Sequence, residues 1–212
     1  MKRVGPKHAR VGIVLAHGRG GSAADILGLM AGLGLPDVAA IAPEAAGNSW
    51  WPVSFLSPVA QTEAHVGRGI AAMVEAVGVL EGEGIVRQNI WLGGFSQGAC
   101  LALETFARVG DGLAGVFGLS GGLVGTGDAG GPVDALLYGY GLKRFDYAGR
   151  REGARVWISV HAQDPHIPLT RAEESAFVLR GMGAEAECRV YPGAGHAVMP
   201  PDVARMRGWL QG

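Results

Sequence analysis

Charge, cysteine and long apolar runs are all scarce in this chain. Charged residues make up 17% of its 212 positions, and 18 Lys plus Arg nearly cancel 19 Asp plus Glu, for a formal charge of -1. That balance gives no electrostatic footprint for nucleic acid or an anionic membrane surface. Cys100 and Cys188 are the only cysteines, far apart and without a Cys-x-x-Cys pair. They suggest neither a disulfide framework nor a zinc site, and they fit a reducing, cytoplasmic setting. No apolar stretch approaches the roughly 18 residues that span a bilayer, so no integral membrane association is expected. Behind the basic residues Lys2, Arg3, Lys7 and Arg10, the apolar run 11–16 stops at His17, Gly18 and Arg19. A secretory h-region needs about 7–15 apolar residues, so no signal peptide is read.

Apolar residues and glycine are plentiful. At 48% hydrophobic, the composition supports a large buried core and is too apolar for a disordered chain. The length fits a single domain over 1–212. The 37 glycines exceed the usual share of about 7% more than twofold, so glycine-containing motifs arise more often by chance.

Short β-branched or apolar runs at 11–16, 38–42, 90–94, 113–119, 156–161 and 186–191 read as about six strands, mostly buried on both faces. Helical patterns lie between them. The clearest is 59–80, where Val66, Ile70, Met73, Val77 and Leu80 form one apolar stripe. Another opens at Thr170, with Glu173 placed for a capping box. Further helices are expected at 22–33, 97–109 and 201–210, the last with Pro in its first turn. Alternating strands and helices predict an α/β fold, a mostly parallel sheet with helices on both faces and its chemistry at the strands' C-terminal ends. The Gly-rich segment 121–153 shows no period. It is read as a surface excursion, with a lid as the alternative.

Two segments match the G-x-S-x-G turn that lifts a nucleophilic serine above a sheet: Gly94-Phe95-Ser96-Gln97-Gly98 and Gly118-Leu119-Ser120-Gly121-Gly122. About 0.2 matches are expected by chance in this composition, so context decides. Ser96 follows a strand and precedes the helix-forming run 99–104, as the turn requires, whereas Ser120 runs into more glycine. Ser96 is therefore the candidate nucleophile. A serine needs a base, and the base a carboxylate that holds its tautomer. In the chain order Ser, acid, His, the candidates are Ser96, Asp164 beyond the strand 156–161, and His196 in the loop before the last helix. His161 and His166 are read as structural or pocket-wall residues, and Asp146 and Asp202 as the spare acids. Oxyanion donors are expected from the backbone N–H groups of Gln97 and Arg19. A rival reading of the same glycine loop exists: Gly18-Arg19-Gly20-Gly21-Ser22-Ala23 fits a dinucleotide fingerprint with Glu44 as the ribose acid, implying a nucleotide-dependent oxidoreductase.

The segments Leu15-Ala16-His17-Gly18-Arg19-Gly20-Gly21, Gly93-Gly94-Phe95-Ser96-Gln97-Gly98-Ala99, Asp164-Pro165-His166-Ile167-Pro168 and Tyr191-Pro192-Gly193-Ala194-Gly195-His196 together resemble the phospholipase/carboxylesterase family. This group of compact α/β-hydrolases includes acyl-protein thioesterases and small carboxylesterases. The resemblance implies a Ser96–Asp164–His196 triad, an oxyanion hole at Arg19 and Gln97, and no cofactor or metal. It also implies that Trp50, Trp51 and Phe55, with His166, lie beside the site as substrate-binding residues. Arg19 departs from the resemblance, because acyl-protein thioesterases usually carry an apolar residue there. The expected activity is hydrolysis of small or short-chain acyl esters, aryl esters included. Lysophospholipase, acyl-protein thioesterase and a non-catalytic ligand-binding fold are the alternatives. The partner is a small-molecule ester, and a homodimer is left open.

Overall fold

Strands that are apolar on both faces need cover on both sides. In a computed structural model, which describes residues 1–127, 141 and 143–211, the main elements run β1 (Lys2–Val4), β2 (Val11–Ala16), α1 (Ala23–Leu33), β3 (Val38–Ala42), α2 (Val59–Gly82) and β4 (Ile90–Phe95). They continue with α3 (Gln97–Val109), β5 (Gly115–Leu119), β6 (Arg155–Gln163), α4 (Leu169–Gly181), β7 (Glu185–Ala194) and α5 (Pro200–Gln211). The strands form one sheet of order β1-β3-β2-β4-β5-β6-β7. Alternate residues of β2 show the two-sided burial: Ile13 and Leu15 pack with Ile26 and Met30 of α1 and Met206 and Leu210 of α5. Val14 and Ala16 pack with Val66 and Met73 of α2 and Leu101 of α3. Among the described residues, no helix is long and apolar enough to cross a membrane.

The sheet has seven strands where about six are expected. The added strand, β1, is three residues long, carries Lys2 and Arg3, and has no apolar run for periodicity to detect. It pairs antiparallel with β3, while all other neighbours are parallel. Arg3 secures this edge by donating to Glu83, just beyond α2, at 2.7 Å. A second correction concerns α4. Its N-cap is Pro168, with no side-chain cap, and Thr170 lies inside the first turn. Proline's fixed φ and the extended ψ it adopts here (133°) start the helix earlier than a threonine cap would. The capping box forms instead at α1, where Ser22 accepts from the Asp25 N–H and Asp25 accepts from the Ser22 N–H.

The order places the site. From β2 the chain moves outward to β3 through α1, then crosses back through α2 to β4 on the other side of β2. Strand order therefore reverses between β2 and β4, and such a switch point opens a crevice at the strands' C-terminal ends. Ala16 and Gly94 face each other across it.

Where it is described, the connection from β5 to β6 has no helix or strand, but its flanks are fastened to α3 through a buried carboxylate. The Glu104 side chain is wholly buried. Its Oε2 accepts from the Val124 N–H (3.0 Å) and the Tyr147 hydroxyl (2.8 Å), and its Oε1 from Lys143 Nζ (2.9 Å) and Arg108 Nε (2.8 Å). Burial pushes the Lys143 ammonium below its usual range, and Glu104 opposes that shift. These flanks are thus not a free surface excursion. Tyr138, Tyr140 and the centre of the segment, on which the lid alternative depends, lie outside the described residues. Removing one partner of a buried ion pair leaves the others uncompensated, at about 3–5 kcal/mol. Glu104→Leu should therefore lower unfolding stability by about that amount, read as a reduced urea midpoint at unchanged m-value, with Glu104→Gln losing less.

Candidate active site

Between β4 and α3 the chain must reverse within a single residue. Ser96 does so at φ 56° and ψ -121°, a strained conformation for a residue with a Cβ. Glycine on both sides permits the turn. A Cβ on Gly94 would lie 2.4 Å from the Gly98 carbonyl, and one on Gly98 would lie 2.1 Å from the Ala16 carbonyl oxygen. Neither obstacle is a side chain that could swing away. Ser96 is thus raised above the sheet, half-buried, at the head of α3.

His196 and Asp164 converge on it. The Ser96 hydroxyl lies 2.8 Å from His196 Nε2, and His196 Nδ1 lies 2.8 Å from Asp164 Oδ2 and 3.0 Å from Oδ1. A carboxylate can only accept here, so Nδ1 carries the proton and the Nε2 lone pair faces the serine. Asp164 is itself fixed, because its Oδ1 accepts from the backbone N–H groups of His166 (2.8 Å) and Ile167 (2.9 Å). Phe95 and His166 contact the His196 ring, with centroids 5.0 and 4.8 Å away.

The competing residues have other surroundings. Ser120 also has positive φ (51°), yet it is buried, and its hydroxyl has no partner among the described residues. Asp202 is buried and accepts from Trp157 Nε1, the Tyr191 hydroxyl and the Met199 N–H, which makes it a structural anchor at α5. Asp146 is exposed. His161 is buried against Tyr191 and makes no hydrogen bond to Ser96.

The loop after β2 supplies a second set of donors. His17 Nε2 accepts from the Ala45 N–H (3.1 Å), so its proton sits on Nδ1, which donates to the Gly18 carbonyl (2.8 Å). The Gly21 N–H donates to the same oxygen. With that carbonyl held, peptide planarity turns the Arg19 N–H to the opposite side. Gln97 opens α3, where an N–H has no intrahelical acceptor. Gly18 adjoins the serine closely enough that a Cβ on it would meet Ser96 Cβ at 3.5 Å. The loop is also pinned by Asn48, whose carbonyl accepts from the Gly20 N–H (2.7 Å) and whose Nδ2 donates to the Gly21 carbonyl (2.8 Å). The same geometry bears on the dinucleotide reading. The head of α1, where a pyrophosphate would sit, is filled by the Ser22–Asp25 cap, and hydrogen bonds from Ser22 hold the Asp25 carboxyl below its usual range.

A cavity of about 580 Å³ lies over Ser96, lined in part by Arg19, Trp51, Phe55, Cys100, His166 and His196. Trp51 and Phe55 are in its wall. Trp50 is not among the lining residues: its ring packs against His17 at 5.1 Å and its Nε1 donates to the His17 carbonyl at 2.9 Å. The Gln97 side chain, to which sequence reasoning assigns no role, holds this wall. Its Oε1 accepts from the Trp50 N–H (2.9 Å) and its Nε2 donates to the Trp51 carbonyl (2.8 Å).

Comparison with known proteins identifies the family. The family model described as phospholipase/carboxylesterase matches residues 5–129, and the chain belongs to that family. The match includes Ser96 and ends before Asp164 and His196. Acyl-protein thioesterase 1 of Gibberella zeae is 30% identical over 128 residues, 60% of this chain and 49% of that protein. The alignment thus spans about half the length of the curated relative. A phospholipase/carboxylesterase crystal structure from Dyadobacter fermentans superposes with a TM-score of 0.85 at 34% identity, covering 100% of this chain and 95% of that one. Esterase PE8 shares the fold, with a TM-score of 0.75 at 21% identity over 99% and 96% of the two chains.

Cys100 is the one thiol in the cavity wall. Burial pushes it up to about 12, and burial raises Cys188 to about 11. Because the thiolate is the reactive form, iodoacetamide at pH 7.5 should leave both cysteines of the folded protein unmodified and alkylate both after unfolding. Mass spectrometry reads the difference.

Proposed function

We propose that this protein is a serine carboxylester hydrolase in which Ser96 is the nucleophile, His196 the general base and acid, and Asp164 the group that orients His196. The reading rests above all on one observation: a serine on a strained turn has its hydroxyl 2.8 Å from an imidazole nitrogen whose other nitrogen faces a fixed carboxylate. Ser96 Oγ attacks the ester carbonyl as its proton passes to His196 Nε2. The tetrahedral oxyanion takes hydrogen bonds from the backbone N–H groups of Gln97 and Arg19. Collapse expels the alcohol, which receives the proton from His196, and leaves an acyl-Ser96. Water then attacks with His196 again as base, and Ser96 is restored. Asp164 stays ionised throughout and stabilises the imidazolium. On this reading residues 1–212 act as one hydrolase domain on a small-molecule substrate.

The walls favour short acyl groups. Trp51 and Phe55 are buried side chains in the cavity wall, and rigid rings there suit a small or flat acyl group. A chain without a channel cannot recover the roughly 0.8 kcal/mol per buried methylene that rewards length. The acyl-protein thioesterase relative keeps an acyl-protein thioester as the second reading.

Two measurements test these statements. A fluorophosphonate probe should label the native protein on Ser96 alone. Ser96→Ala should abolish labelling and lower kcat by about 10⁴- to 10⁶-fold, while Ser120→Ala keeps both within a few fold. Labelling that persists in Ser96→Ala and vanishes in Ser120→Ala would reverse the assignment. For chain length, kcat/KM on p-nitrophenyl esters should be higher for acyl groups of about two to four carbons than for twelve or more. Phe55→Ala or Trp51→Ala should raise the long-to-short ratio. A parent preference for acyl groups of roughly twelve to sixteen carbons, where burial of many methylenes dominates, would favour the lysophospholipase or thioesterase reading.

A further inference from the structure

Among the described residues lining the cavity over Ser96, Arg19 is the only Lys, Arg, Asp or Glu. The Asp164 side chain is wholly buried behind His196 and does not line it, and the other titratable groups facing the space are Cys100, His166 and His196. Arg19 is also paired differently from most arginines of the molecule. Arg108, Arg151 and Arg171 each meet a carboxylate. Arg19 meets two neutral acceptors, with Nη1 donating to the Pro52 carbonyl at 3.1 Å and Nη2 to the Val53 carbonyl at 2.5 Å. Those contacts fix the guanidinium without neutralising it. Of its five N–H donors, two are engaged and three remain.

We propose that Arg19 is a specificity determinant that selects esters carrying a carboxylate, which it receives on the unengaged donors of its guanidinium in the wall of the cavity over Ser96. The proposal rests on the ester-hydrolase reading above and names its substrate class. A planar fork of donors suits a carboxylate better than a point charge does. The two carbonyls hold the exposed side chain in the free protein, which lowers the entropic cost of binding. A competing account makes Arg19 only a clamp on residues 52–53. The two accounts differ in what they discriminate: a lost clamp slows neutral and anionic esters alike, whereas lost recognition slows the anionic ones more. A nearby positive charge also assists the oxyanion of every ester, so the informative quantity is a ratio.

The experiment compares kcat/KM for two matched pairs in the parent, Arg19→Gln and Arg19→Lys. In one pair the charge is on the leaving group (3-acetoxybenzoate against its methyl ester). In the other it is on the acyl group (monophenyl glutarate against phenyl butanoate). In at least one pair, the anionic-to-neutral ratio should fall by about 10- to 100-fold in Arg19→Gln, with Arg19→Lys between. The parent's ratio should fall as ionic strength rises from about 0.02 to 0.5 M, and the Arg19→Gln ratio should not. The responding pair identifies the side of the ester that Arg19 reads. Fluorophosphonate labelling of Ser96 in each variant reports that the site is still assembled. Ratios unchanged in both pairs would overturn the proposal, whether or not the absolute rates drop. A parent that hydrolyses none of the four esters and takes no label would instead remove the ester-hydrolase reading, and this assignment with it.

Discussion

The site depends on how closely the first turn of α3 approaches the end of β2. Where Gly98 passes the Ala16 carbonyl there is no room for a side chain, since a Cβ would sit 2.1 Å from that oxygen. This contact brings the head of α3 against the loop that begins at His17. Ser96 at the turn and the Gly18–Arg19 loop therefore adjoin, so that a Cβ on Gly18 would meet Ser96 Cβ at 3.5 Å. The strand order makes the contact available, because β2 and β4 are the neighbours at which the topology reverses. A strained serine and two rigid glycines are tolerated because the sheet beneath is buried on both faces and holds its register.

In the mechanism proposed above, the same few residues join the oxyanion donors to the cavity wall. Gln97 offers its backbone N–H at the head of α3 while its side chain holds the Trp50 and Trp51 peptides. Arg19 offers its backbone N–H from the other loop while its side chain holds the Pro52 and Val53 carbonyls. Trp50 ties the wall back to His17, whose tautomer orients the Gly18 carbonyl. A change in the wall is thus transmitted to the donors through one or two hydrogen bonds. If the proposed roles hold, these short, directional contacts couple selectivity to rate.

Much of this is legible in the sequence, for identifiable reasons. Strands buried on both faces produce unbroken apolar runs, and those runs bound β2 and β3 to the residue. The order of Ser96, Asp164 and His196 follows from where each falls relative to strand ends, and the structure brings these three side chains within hydrogen-bond distance. The illegible features depend on contacts between segments distant in sequence. β1 is too short and charged to show a period, and its partner is β3. Trp50 and Trp51 are adjacent and chemically alike, yet one backs onto His17 and the other lines the cavity. The helix start at Pro168 is masked by a Thr–Glu pair just beyond it that has the spacing of a cap. Glu104 sits in a run that reads as an ordinary amphipathic helix, and nothing local announces that Val124, Lys143 and Tyr147 will converge on it.

Ser120 marks the limit of motif reading. Both serines sit within G-x-S-x-G, both end strands of the same parallel sheet, and both have positive φ. The backbone turn is therefore not the feature that distinguishes them. The paths the chain takes beyond the two turns do. After Ser96 the helix carries the chain away and leaves the hydroxyl facing the crevice at the switch point, where the β7–α5 loop delivers His196. After Ser120 the chain continues through Gly121 and Gly122 against Ala99 and Arg171, and the hydroxyl is enclosed. A sharp turn makes a serine available only where the topology leaves space above it and a second loop can reach that space with a base. In this fold the reversal of strand order between β2 and β4 provides the space, and the short turn that leaves β7 at Ala194 sets His196 within reach of it.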